Sequence, residues 1–257
     1  MNVVARRKPD VAAHSGTAGT AVDARSAAAS GYARPAVAPP VILDDAGVPI
    51  PFGTRWGGNL PPESLYSVDR HPERFAPLLS VADALIAHLR RIYDVSVDTS
   101  GAFPDREPKD LGSIRDDIAV RRVVRLAPSR MDAAPLTFVY TEYPSVELEA
   151  GAFLVSRFPD CGCEACDEDW SSVADKLEEA VFAVVNGAFT ETLSGRWLTT
   201  RLGRSDGESR YGCRVKDLRY SPSYIAKARR TLKPLTAGWQ PWPRRLRTVP
   251  TADGSSP

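Results

Sequence analysis

Ala82, Leu85, Ile86, Leu89 and Tyr93 recur at three- and four-residue intervals within HPERFAPLLSVADALIAHLRRIYDV. That spacing predicts a helix at about 80 to 93, with a shorter helical turn after Pro72. Ser80 followed three residues later by Asp83 reads as its cap. The pattern then changes to runs rich in β-branched and aromatic residues, bounded by Pro, Asp or Gly: DIAVRRVVRLAP at 117–128, PLTFVYTEYP at 135–144 and VELEAGAFLVSRFP at 146–159. In the second run Leu136, Phe138 and Tyr140 alternate with Thr137, Val139 and Thr141, the period of a half-buried strand. Gly151 marks a bulge or sharp twist in the third. The connections are too short for crossover helices, so the three form an antiparallel meander.

Helical spacing returns in SSVADKLEEAVFAVVNGAF, where Val173, Leu177, Val181, Val184 and Phe189 share a face. Ser172 with Asp175 reads as its start, and Asn186-Gly187 as its end or bend. RWLTTRLG and RYGCRVKDL suit a hairpin with GRSDGESRYG at its tip, and SPSYIAKARRTL a short helix opened by serine. The chain is therefore an α+β protein: an antiparallel sheet, a three-stranded meander plus a hairpin, packed with two main helices.

Composition sets the limits of the fold. Residues 1–40 are rich in Ala, Pro, Gly and Ser, with Tyr32 as their one aromatic. Such a segment buries too little apolar area to offset the entropy of ordering. We read 1–40 as a disordered extension, 41–248 as a single α+β domain and 249–257 as a disordered tail. Of 257 residues 43% are hydrophobic and 25% charged, as in an ordinary soluble protein. No apolar run is long enough to span a bilayer, and the basic start MNVVARRKPD is followed by no apolar stretch. The cytoplasm is the expected compartment. Only six of the 33 basic residues are lysine, a bias we assign to codon usage rather than to function.

The chemistry concentrates in DCGCEACDEDW, residues 160–170. Pro159 stops a strand, and Gly162 allows a left-handed backbone. Cys163 and Cys166 have the two-residue gap that lets two thiolates bind one tetrahedral ion. Cys161 adds a third thiol, and Cys213, 47 residues beyond Cys166, is the only other cysteine. A Zn²⁺ ion on Cys161, Cys163, Cys166 and Cys213 is an ordinary structural site; three cysteines with Asp160 or Asp167 is a weaker variant. Asp160, Glu164, Asp167, Glu168 and Asp169 argue the other way. Carboxylates disfavour an already anionic thiolate–zinc site and raise thiol pKa values. Ahead of a helix they also complement its dipole. Structural metal, small apolar packing and a redox pair all remain open at this turn.

Four stretches, HPERFAPLLSVADALI, DAAPLTFVYTEYP, FPDCGCEACDE and WQPWPRR, resemble an uncharacterised actinobacterial family of unknown function. The resemblance covers roughly Glu63 to Arg245. The family pattern has Asp where Glu164 stands. It implies a shared fold and makes the cysteine turn a family feature, and it implies no activity.

Charge is unevenly spread although the net value is +1. Glu142 to Glu179 holds eleven acids and two bases; Arg219 to Ala252 holds eight bases and no acid. Tyr220, Tyr224, Trp239 and Trp242 interleave with the basic part, a pattern that suits a single-stranded nucleic acid. An acid–base interface inside the domain uses the same charges, with the two tryptophans clamping the chain end to the core, and we prefer it. His14 falls in the extension, His71 precedes a proline and His88 borders the apolar helix face. No nucleophile elbow, phosphate loop, dinucleotide fingerprint or paired-histidine motif is present. The expectation is a non-catalytic protein that acts by binding another protein. The alternatives are a metal-dependent or thiol enzyme at the cysteine turn and a nucleic-acid binder through the basic segment.

Overall fold

The computed structural model describes residues 31–38, 40–101, 119–218 and 220–246. The leader 1–30 and the tail 249–257, both expected to be disordered, lie outside the described residues, as do positions 117 and 118 of the first predicted strand. A 3-10 turn at Pro72–Phe75 runs into α1, Pro77–Ile92. The helix starts three residues before the predicted cap, because proline tolerates the first helical positions, where its missing N–H needs no partner. No side chain caps it. Asp83 instead accepts the Tyr140 hydroxyl at 2.7 Å, tying the helix to the sheet.

Among the described residues that sheet has five strands, not three: β1 Val95–Asp98, β2 Val120–Pro128, β3 Leu136–Thr141, β4 Val146–Ala150 and β5 Leu154–Phe158. They pair in chain order, every pair antiparallel. The third predicted strand is two strands folded back at Gly151, whose φ is +58°. A Cβ there would collide with the Glu191 carboxylate, the Phe189 ring and Trp239 Nε1. α2, Trp170–Val185, follows the cysteine turn. The predicted hairpin is part of a second, three-stranded antiparallel sheet: β6 Phe189–Ser194, β7 Trp197–Arg204 and β8 Gly207–Arg214. α3, Pro222–Leu232, is capped by Ser221 as expected. The α+β class stands, with one sheet larger than read and the hairpin extended by β6. Among the described residues no helix is long and apolar enough to cross a membrane.

Alternation puts Leu126, Leu136, Phe138 and Leu148 on one face of the large sheet, where they share a core with Leu78, Leu85 and Leu89 of α1 and with Leu177, Val181 and Phe182 of α2. Trp239 and Trp242 are buried in that core, the clamp the sequence suggested. Trp242 Nε1 donates to Ala134 O at 2.8 Å. Part of the expected leader packs here too. The Tyr32 hydroxyl donates to Glu178 at 2.9 Å, and Arg34 holds Glu178 at 2.7 Å and also pairs with Asp175. The Tyr32 ring meets His88 and Phe182 at centroid distances of 5.5 Å.

Glu191 is buried beneath the β4–β5 turn and accepts Ala152 N at 2.8 Å, Phe153 N at 2.6 Å and Trp239 Nε1 at 2.9 Å. Burial pushes its carboxyl up to about 7, although those donors pull it down. The folded state therefore binds this proton more tightly than the unfolded chain, where a glutamate titrates near 4.3. Its contribution to stability is full below about pH 4 and is lost as the pH rises through about 7, amounting to roughly 3 kcal/mol. Denaturation of wild type and Glu191→Gln across about pH 5 to 8 should show the wild type losing stability relative to the variant. Parallel curves would remove this role.

Candidate metal centre

The turn between β5 and α2 is shaped by three local choices. Gly162 sits at φ +79°, where a Cβ would strike the Tyr143 hydroxyl. Asp167 is also left-handed, at φ +51°. Asp169 is the true N-cap of α2, its Oδ1 accepting Ser171 N at 2.9 Å and Ser172 N at 3.0 Å. The cap expected of Ser172 and Asp175 therefore falls to the residue just ahead of the helix.

The segment 41–68, punctuated by proline and glycine and called the lead below, wraps this turn. Val68 O accepts Glu164 N at 2.8 Å and Leu65 O accepts Ala165 N at 3.1 Å. Trp56 Nε1 donates to Ala165 O at 3.0 Å. From the same side come two arginines. Arg74, 3% exposed, donates to Glu164 Oε1 at 3.1 Å and to the carbonyls of Gly162, Cys163, Glu168 and His71 at 2.9 to 3.3 Å. Arg55 holds Glu164 Oε2 at 2.7 Å and grips Asp167 through both its side chain and its backbone N–H. Both guanidiniums lie 4.3 Å from the Phe52 ring centroid.

These pairs change the electrostatic balance. Glu164 and Asp167 are buried and matched by Arg55 and Arg74. Glu168 is engaged by Cys161 N, Gly162 N and Lys176, and Asp169 by the helix start. The acids that argued against a metal or a thiolate are thus largely committed to cations and N–H groups. The arginines went unread because arginine abundance was assigned to codon usage. Their signal was the position of Arg74 within HPERF, beside a buried phenylalanine.

The structure brings Cys161, Cys163 and Cys166 together, with all three Sγ atoms within 4.8 Å of one another. Cys163 Sγ lies 3.4 Å from Cys166 Sγ. Tetrahedral zinc with sulfur at about 2.3 Å requires S···S separations of about 3.8 Å, inside this range. Cys163 is buried while Cys161 and Cys166 are exposed, and none of the three is in a disulfide. Burial pushes the Cys163 thiol up, but backbone N–H donors from Cys166 and Ser67 and the neighbouring thiols outweigh it, so the net direction is down. Burial and the Cys163 thiol push Cys161 up, and burial with both neighbouring thiols pushes Cys166 up. Cys213 stands on β8 opposite Leu198, and no fourth His, Cys, Asp or Glu among the described residues joins the group.

Comparison with curated proteins and with solved structures gave no match. One family model does match, over residues 38–246, a span that holds the two sheets and three helices of the described residues and the cysteine turn. The chain thus belongs to a family of unknown function, DUF6226.

Proposed function

We propose that this is a cytoplasmic metal-binding domain that holds one Zn²⁺-class ion on the thiolates of Cys161, Cys163 and Cys166, and that it acts through protein contacts rather than turnover. One observation supports this most: three thiols lie within 4.8 Å on a turn whose backbone is fixed by buried arginine–carboxylate pairs. Three thiolates held so close repel one another, and a divalent cation relieves that repulsion while releasing their protons. The lead, β5 and α2 all meet at the turn, so an ion that stiffens it supports the contacts of all three. Water, or a side chain from a bound protein, takes the fourth place. Three thiolates leave the ion with net negative charge and weaken its pull on that water, which favours a structural over a catalytic role. The exposure of Cys161 and Cys166 favours a second reading, a metal-dependent reaction at the open position.

Elemental analysis of protein purified without a metal-affinity step tests the proposal. About one zinc per chain is expected. Iron in place of zinc would redirect the site to a cluster, and absence of any metal would sink it.

A further inference from the structure

We propose that the outer face of the three-stranded sheet docks single-stranded nucleic acid. The aromatics first suspected of stacking on bases are unavailable. Trp239 and Trp242 are buried, and Tyr220 and Tyr224 stack on each other at 4.7 Å and pack against Phe153. Basic charge is in excess, however, even though Arg204 pairs with Glu179 and Asp206. Residues 193–233 carry eleven Lys and Arg against three Asp and Glu. The acidic stretch Glu142–Glu179, expected to neutralise the basic segment Arg219–Ala252, is matched in large part by Arg34, Arg55, Arg74, Arg157 and Lys176, with Glu179 meeting Arg204.

The register shows where that charge stands. Trp197 lies opposite Arg214, Thr199 opposite Gly212 and Arg201 opposite Arg210. Alternation puts all six on one face, since the intervening Leu198 is 1% exposed and in the core. Trp197 is 52% exposed, with the Arg214 guanidinium 5.7 Å from its ring centroid. Arg201 has a loose, exposed pairing with Glu208 at 3.8 Å, which exchanges readily for a phosphate. Arg229 of α3 donates to Gly195 O at 2.8 Å and so brings that basic helix to the β6–β7 turn next to Trp197. The result is one open indole among arginines, separated by threonine and glycine. An apolar protein partner would need a wider apolar patch than this. A flat ring joined to phosphates fits it: the base stacks on Trp197 and the arginines hold the backbone. Stacking requires an unpaired base, which selects a single strand over a duplex.

The test is fluorescence anisotropy of the full chain with a labelled oligothymidine of about twenty nucleotides. Saturable binding is expected at about 50 mM salt, weakening at least tenfold by about 200 mM. Trp197→Ala should weaken it by about tenfold or more. Arg201→Gln with Arg210→Gln should flatten the slope of log affinity against log salt by about 1.4. All three positions are exposed, so unchanged thermal melting is expected and is checked first. Absence of binding at low salt, or affinity untouched by Trp197→Ala, would overturn the proposal. So would equal binding to duplex DNA or tighter binding to phosphatidylserine vesicles, which would make the face a general polyanion surface.

Discussion

Arg74→Met should destabilise the fold by about 3 to 5 kcal/mol, the cost of leaving one partner of a buried ion pair alone. For a domain of this size that is a fall in melting temperature of roughly 10 °C. The size follows from what the guanidinium does. It meets Glu164 Oε1 and four carbonyls of the cysteine turn and its approach, where methionine offers apolar volume and no donor. Arg74→Lys should recover little, because an ammonium has three donors and no planar fork. A double variant, Arg74→Met with Glu164→Gln, should lose less than the sum of the two single changes, since the stranded carboxylate is then gone. A cost below about 1 kcal/mol, typical of an exposed pair, would mean that the turn does not depend on this brace.

The second large effect is at the thiols. Cys163→Ser should release the metal and lower stability by several kcal/mol, about 4 for an ion bound a thousandfold below its free concentration. Cys163 is the buried thiol and receives two backbone N–H groups, from Cys166 and Ser67, against one for Cys161, so its sulfur is the best held of the three. Cys166→Ser should behave alike, and Cys161→Ser nearly so. Cys213→Ser should keep the metal, because Cys213 stands outside the group on β8. Metal lost from that variant would return Cys213 to the fourth position. If all four serine variants melt within about 1 kcal/mol of wild type, the thiols only pack.

How legible this was from sequence depended on how local each signal is. Helical periodicity located α1 and α2, because one apolar stripe per helix is written into consecutive residues, and the opening serine located α3. β-branched composition found β2, and alternation found β3. It missed β1, since four residues directly after α1 read as helix end. It merged β4 with β5, since a turn on Gly151 leaves the apolar count of the run unchanged. β6 was hidden as the tail of α2, whose hydrophobic spacing continues to Phe189. The cysteine turn was legible because its residues are adjacent. Its support was not: Arg55 and Arg74 lie about a hundred residues upstream, and nothing in a single sequence links them to Glu164 and Asp167. For the same reason the acids looked like opposition to a metal until their partners were seen.

The most direct measurement is a pair of thermal melts on one preparation, as purified and after exhaustive chelation under reducing conditions. An ion on Cys161, Cys163 and Cys166 predicts a lower midpoint for the chelated protein by about 10 °C, restored by one equivalent of Zn²⁺. Identical midpoints, with metal shown to be gone, would contradict it.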